Sequence, residues 1–103
     1  MGKSELEEFL ESGEPMVIVV GNTKYNDIKT RNVLKENHLG WEKDIKAWMF
    51  GITSAYDSAN KALIKKVYGA ITKYNEDYHK GLKIKILDDS EFSKMKAEKI
   101  AFK

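Results

Sequence analysis

Cysteine is absent from this chain of 103 residues. Its absence excludes disulfide bonds, zinc–thiolate centres and cysteine nucleophiles. A domain without disulfides is typical of a reducing compartment, which favours a cytoplasmic protein. Proline is nearly absent as well, since Pro15 is the only one. Because no stretch of linker composition divides the chain, the sequence predicts one domain over residues 1–103.

Long apolar runs are also lacking. The longest, Met16 to Val20, is far shorter than the roughly 20 residues that a membrane-spanning helix needs. The first residues are acidic and carry no apolar segment of the kind found in secretory signals. We therefore expect neither a membrane partner nor a secretory leader.

Residues that hold metals or perform catalysis are sparse. The two histidines, His38 and His79, have no ligand pattern around them. Asp88 and Asp89 are adjacent but lack further spaced acids, so a turn or a helix cap is their expected role. The segment Gly21–Thr23 follows a predicted strand but lacks the spacing of a phosphate loop. The sequence thus predicts no enzyme activity, no metal and no cofactor.

Charge is divided unevenly along the chain, although the net charge is only +2. Residues 1–14 hold five glutamates and one lysine, whereas residues 15–103 hold 17 basic and 11 acidic residues. Every basic residue except Arg31 is a lysine. Lysine attracts phosphates in general but seldom recognises bases in bidentate fashion. The pattern predicts an acidic N-terminal helix within residues 1–14, a core over residues 15–87 and a tail over residues 88–103.

Hydrophobic spacing predicts the elements of an α+β domain. The β-branched run 16–20 indicates a central strand covered on both faces, and Trp41–Phe50 indicates a hairpin. The stripe from Leu63 to Tyr78 predicts one long helix, from about Ser54 to Lys80, with a buried side. With a helix over 28–38 and a strand over 82–86, the order is βαββαβ, as in ferredoxin-like domains, after an extra N-terminal helix. We expect a small mixed sheet of about four strands.

Some positions within these elements can be assigned. The second helix is expected to face inward through Ile28, Val33 and Leu34. The connection of the hairpin, residues 42–45, is expected to be polar. Two structures remain open for the tail: a helix capped by Ser90, or an edge strand formed by Ile100 and Phe102.

The two tryptophans frame a lysine at a regular spacing. Lys46 follows Trp41 by five residues and precedes Trp48 by two, so a hairpin brings both indoles together beside lysine stems. Aromatic faces flanked by cations suit stacked bases and phosphates. Trp48 and Phe50 share one face of the return strand, and packing in the core is the simpler role for both. We expect Trp41 to be the more exposed indole of the two.

The segment from residue 16 to residue 56 resembles small domains of phage and mobile-element proteins. In those domains a helix ends in Leu-Lys and is followed by tryptophan and then by Lys-x-Trp. The matching residues here are Leu34, Lys35, Trp41, Lys46 and Trp48. The HARP domain of annealing helicases is similar, with further aromatics that correspond to Phe50 and, one residue late, Tyr56. The resemblance implies a β-α-β-β unit and contact with DNA.

The first functional interpretation is a small nucleic-acid-binding accessory protein, whose partner is single-stranded or forked nucleic acid. Trp41 and Tyr25 are expected to stack bases, while the basic residues neutralise phosphates. The candidate site residues are Tyr25, Arg31, Lys35, Trp41, Lys43 and Lys46. On the long helix, Lys61, Lys65 and Lys66 are either a solvated face or an extension of the basic surface.

The alternative interpretation is a protein-binding module or an inhibitor that acts on a host protein. It rests on the acidic first helix, which carries Glu5, Glu7, Glu8 and Glu11. Those glutamates meet a basic partner or shield the domain's own basic face.

Overall fold

The computed structural model describes residues 5–12, 15–52 and 58–99. Helices and strands alternate through these segments, which confirms the α+β class. The elements are α1 (Glu5–Ser12), β1 (Met16–Gly21), α2 (Ile28–Glu36), β2 (Gly40–Glu42), β3 (Ala47–Ile52), α3 (Ser58–Tyr78), β4 (Lys83–Asp88) and α4 (Asp89–Glu98). Several residues that were singled out in the sequence fall outside the described ranges, namely Ser54, Tyr56, Ile100 and Phe102.

The four strands form one sheet in the order β2-β3-β1-β4. Every neighbouring pair is antiparallel, so the expectation of a mixed sheet was wrong. The reason is that β1 and β2, joined through α2, run in the same direction but leave room for β3 between them. The same is true of β3 and β4, joined through α3, with β1 between them. This is the split βαβ arrangement.

The central strand β1 is covered on both faces, as predicted. Met16, Ile18 and Val20 pack with residues of α1, α2 and α3 in the larger core cluster. Val17 and Val19 face the other way and pack in a second cluster with Phe92 of α4. All of these side chains are buried, which the alternation of a strand requires when both faces are covered.

The long helix α3 buries a stripe at three- and four-residue spacing, as expected. Ile64, Val67, Ile71 and Tyr74 form it. Leu63 is only partly buried at its margin. The stripe ends before Tyr78, whose side chain is 53 % exposed, so the expected burial of Tyr78 was wrong. Tyr78 is the last residue of α3, and its ring packs against the ring of Tyr74, with 5.0 Å between centroids.

The helix α2 faces the core through two of the three expected residues. Leu34 is buried and Val33 partly so, but Ile28 is 64 % exposed, and Thr30 is buried instead. The burial of Thr30 is possible because its hydroxyl is hydrogen-bonded to the Asp27 carboxylate at 2.7 Å and to the Tyr74 hydroxyl at 2.8 Å. The first turn of α2 is therefore anchored by a polar network rather than by Ile28.

The β2–β3 connection and the tail complete the second cluster. The connection was expected to be polar, but Ile45 is fully buried there with Ala47. The tail is the helix α4, and Phe92 buries its ring in the same cluster. Its N-cap is Asp88 rather than Ser90: the Asp88 carboxylate accepts from Glu91 N at 2.7 Å, and Glu91 bonds back to Asp88 N.

Candidate functional site

A surface cavity of about 520 Å³ lies on the α2 side of the sheet, beside the edge strand β2. The loop between β1 and α2, the helix α2 and the segment that enters β2 all contribute to it. Its lining residues are Thr23, Lys24, Tyr25, Arg31, Lys35, Leu39, Gly40, Trp41 and Trp48. The volume lies within the roughly 300–1,000 Å³ range of small-molecule sites.

The loop that forms one wall is fixed at both ends. After β1, Asn22 adopts a left-handed conformation with φ 62°, which asparagine tolerates better than most residues. Its side-chain amide donates to the carbonyl oxygen of Gly81 at 2.8 Å. At the other end, Asp27 caps α2 by accepting from Thr30 N at 3.2 Å. These two anchors hold residues 23–26 against α2.

The opposite wall is a cross-strand pair of tryptophans. Trp41 in β2 stands directly opposite Trp48 in β3. Their ring centroids are 5.9 Å apart at an interplanar angle of 68°, an edge-to-face contact. Trp48 is 4 % exposed and Trp41 is 52 % exposed, because only Trp41 lies on an edge strand. This confirms the expected burial of Trp48 and the greater exposure of Trp41.

Tyr25 is held in the loop by Arg31. The Tyr25 side chain is 88 % exposed, and the guanidinium carbon of Arg31 lies 5.2 Å from its ring centroid. Arg31 Nη1 also donates to the carbonyl oxygen of Tyr25 at 3.3 Å. The pair therefore combines a cation–π contact with a backbone hydrogen bond, and it places an aromatic face and a positive charge at one rim of the cavity.

The cavity has positive walls and an apolar floor. Arg31 and Lys35 lie one turn apart on the same side of α2, and Lys24 adds a third cation from the loop. None of the described lining residues is acidic. Leu39 and Trp48 are each 4 % exposed and supply buried apolar surface beneath. The arrangement suits a planar apolar group that carries negative charge.

Four of the six predicted site residues line this cavity: Tyr25, Arg31, Lys35 and Trp41. Lys43 and Lys46 do not; both are exposed in the β2–β3 connection. The burial of Ile45 against the α4 face explains the separation, because it draws the connection to the side of the sheet away from α2. The connection nevertheless begins directly after Trp41 and Glu42, so both lysines lie at the same end of the sheet as Trp41.

Two lining residues that carry polar atoms were missed from the sequence, Thr23 and Lys24. Lys24 directly precedes Tyr25, so a cation next to an aromatic in a loop after a strand was a usable signal. Leu39 gave no such signal, since its role depends on the packing of the α2–β2 segment.

A polar network borders the cavity behind Lys24. Lys80 Nζ and Asp27 Oδ2 form an ion pair at 3.0 Å, in a cleft of about 200 Å³ that Lys24 also lines. The Thr30 hydrogen bond first, and then the bond from Lys80, lower the pKa of Asp27 from 3.8 to about 2. The carboxylate is thus committed to the cap of α2 and to Lys80.

The acidic helix α1 lies beside lysines of α3. Glu7 and Glu11 line a cleft of about 220 Å³ together with Leu10, Lys61 and Lys65. This juxtaposition bears on the alternative interpretation, because opposite charges placed at one cleft attract each other.

Comparison of the chain with protein-family models, with curated proteins and with solved structures found no match. Within residues 5–12, 15–52 and 58–99, no three acidic or histidine side chains are placed to hold a metal ion together. None of the helices in that part of the chain has both the length and the apolar character of a membrane crossing.

Proposed function

We propose that the protein binds single-stranded or forked nucleic acid through the cavity between Tyr25 and Trp41. The observation that carries the proposal is convergence: two exposed aromatic rings and three cations line one cavity, and none of its described lining residues is acidic. Unpaired bases stack on exposed aromatic rings, and lysine and arginine neutralise the phosphates beside them. Bases inside a duplex offer no free face for such stacking, which favours unpaired strands or forks.

The other surfaces of the fold support the same site. The sheet face opposite α2 is covered by α4, with Phe92 buried against β1 and β4, so it offers little open surface for bases. Lys43 and Lys46 are exposed beyond Trp41, where they can meet the phosphates of flanking nucleotides. The resemblance of residues 16–56 to DNA-contacting domains favours this interpretation as well.

The proposed role is that of an accessory protein that acts by binding alone, in the cytoplasm. Recognition is expected to tolerate different sequences, since lysine contacts phosphates and an aromatic ring stacks on any base. Binding of single strands should weaken with salt, with a slope of about −0.7 per neutralised phosphate.

The test is a titration of labelled single-stranded DNA and RNA at low salt, followed by fluorescence anisotropy. We expect dissociation constants in the micromolar range that rise with salt. The double variant Arg31→Ala with Lys35→Ala should weaken binding and flatten the salt slope by about 1.4. The matched control, Lys83→Ala with Lys94→Ala, removes two exposed lysines outside the cavity, so it should lower the affinity only slightly, through net charge, and leave the salt slope unchanged. Equal losses in the two double variants, or no binding at tens of micromolar, would reject the proposal.

A protein-binding module remains the second candidate, and α1 is the observation that favours it. Glu7, Glu8 and Glu11 are exposed along this helix. If nucleic acid fails to bind, cross-linking to a basic protein should map to α1. The cross-link should disappear when the three glutamates are replaced by glutamine.

A further inference from the structure

The stacking surface of the protein is concentrated at one place. Among the described residues, the exposed aromatic side chains are Tyr25, Trp41 and Tyr78. Only Tyr25 and Trp41 line the cavity, while Tyr78 lies at the end of α3 with Lys29 Nζ 4.1 Å from its ring centroid. Proteins that bind along a nucleic-acid single strand present successive aromatic side chains in a groove, one for each base. Here no such series exists along the described surface.

The cavity is a partly open recess with buried apolar residues in its lining. Buried Leu39 and Trp48 form its floor, and Trp48 also holds the edge of Trp41. At the facing rim, Arg31 occupies one side of the Tyr25 ring. A base that enters between these rims meets the apolar side chains of Leu39 and Trp48. At about 520 Å³ the recess has the size of a small-molecule site.

The number of cations that line the recess limits the number of phosphates that it can neutralise. Lys24, Arg31 and Lys35 line it, and each can neutralise about one phosphate. Gly40 adds backbone without a side chain on the edge strand, where a Cβ would meet no heavy atom within 4 Å. The backbone of an edge strand keeps unpaired N–H and C=O groups that can bond to a polar ring.

Building on the proposed function, we infer that the recess holds a single unpaired nucleotide, inserted as a unit. The base stacks on Trp41 above the apolar floor, and its own and adjacent phosphates lie on Lys24, Arg31 and Lys35. The protein therefore recognises one exposed nucleotide, such as a strand end or a fork, rather than a long single strand. A free mononucleotide contains the base and one of the phosphates that the recess contacts.

The test is a competition series against a labelled oligothymidylate. Competitors are thymidine monophosphate, thymidine, inorganic phosphate and oligothymidylates of about two to twelve nucleotides. We expect the monophosphate to compete, and thymidine and phosphate alone to compete at least about fivefold more weakly. Affinity should rise with the length of the oligonucleotide up to about three nucleotides, one for each lining cation. Beyond that length it should increase only in proportion to the number of equivalent positions at which the recess can bind the oligonucleotide.

A matched pair of variants ties the result to the recess. Trp41→Ala should weaken both oligonucleotide and monophosphate binding at least about fivefold, since stacking is worth about 1–3 kcal/mol per base. Tyr78→Ala removes an aromatic ring of nearly the same exposure, 53 % against 52 %, and should change neither.

The outcomes separate this inference from the proposed function. Affinity that keeps rising to about twelve nucleotides, without competition by the monophosphate, overturns the single-nucleotide recess and leaves nucleic-acid binding intact. Binding of the monophosphate without binding of oligonucleotides supports the recess and rejects the proposed function. Binding of neither rejects both.

Discussion

Trp41 and Trp48 face each other across two strands, yet their surroundings differ. Trp48 pairs with Val20 on its other side, so its strand is interior, whereas none of the described strands pairs with the far side of Trp41. Burial gives Trp48 a structural role, and the position of Trp41 on the edge strand leaves its indole available to a ligand. Two residues of one type in direct register thus contribute to different properties of the protein.

This difference predicts opposite consequences for the two alanine substitutions. Trp48→Ala removes a buried side chain and should lower the free energy of unfolding by about 3–5 kcal/mol. Trp41→Ala loses the edge-to-face contact and half-exposed area, and should lower it by about 1 kcal/mol. Urea denaturation of both variants measures the two values. Equal destabilisation would show that both indoles are core residues and that Trp41 is no ligand contact.

Asp27 gives the domain a specific acid sensitivity. Its folded-state pKa of about 2 lies below the ordinary 3.8, so the ionised carboxylate stabilises the folded state. The contribution is fully present above about pH 4 and is lost as the pH falls through about 2. Between these values the native chain should lose stability more steeply than Asp27→Asn, which has no carboxylate to titrate.

The measurement is the free energy of unfolding in urea at several pH values from about 6 to about 2. Asp44→Asn serves as the control, since Asp44 is exposed in the β2–β3 connection and caps no helix. It should follow the native curve in shape. Parallel curves for Asp27→Asn and the native chain would contradict the role given to the Thr30 and Lys80 bonds.

At the scale of elements, the regular hydrophobic patterns could be predicted from the sequence. The sequence did not predict where a polar residue is buried and an apolar one exposed, or where a connection expected to be polar buries an apolar residue. The run 16–20 and the α3 stripe could be recognised in the sequence. The run is a continuous series of apolar residues, typical of a strand covered on both faces, and the stripe recurs at helical spacing. Ile28 and Thr30 exchanged roles because the Thr30 hydroxyl meets Asp27 and Tyr74, and the latter is 44 residues away. Ile45 is buried only because α4 folds back over it. Such long-range partners leave no local signal.

The cap of α4 offers a test at this scale. The structure assigns the capping box to Asp88 and Glu91, whereas the sequence left two candidates for a cap, the pair Asp88–Asp89 and Ser90. Asp88→Ala should lower the free energy of unfolding by about 0.5–2 kcal/mol, since it leaves N–H groups of the first turn without an acceptor. Ser90→Ala should change it by less than about 0.5 kcal/mol, because Ser90 is exposed within the first turn. Chemical denaturation of the two variants decides between the caps, and the reverse order of effects would return the role to Ser90.

At the scale of the whole molecule, charge separates into regions. The net charge of +2 conceals a cavity lined by three cations and a cleft where α1 glutamates lie beside α3 lysines. The sequence indicated four of the cavity residues, because an aromatic next to cations is a local signal. It could not show that the β1–α2 loop, α2 and β2 meet at one cavity, since that depends on how β3 enters between β1 and β2.

This layout predicts that α1 restrains nucleic-acid binding by shielding Lys61 and Lys65. Glu7→Gln with Glu11→Gln removes the acidic side of that cleft while retaining side chains suited to a helix. Affinity for single-stranded DNA should rise, and the salt slope should steepen by up to about 1.4, because two more lysines can meet phosphates. Anisotropy titrations at several salt concentrations measure both quantities.

The control must separate shielding from net charge. Glu76→Gln with Glu98→Gln changes the net charge equally, at exposed positions that do not line the cleft. This pair should raise the affinity through the weaker overall repulsion but leave the salt slope unchanged, because Lys61 and Lys65 keep Glu7 and Glu11 beside them and Lys73 keeps its ion pair with Asp77. If both pairs raise the affinity equally and neither steepens the slope, α1 acts only through total charge. If neither pair alters the affinity, the glutamates of α1 do not oppose the strand at all, and their exposure then favours the protein-partner alternative.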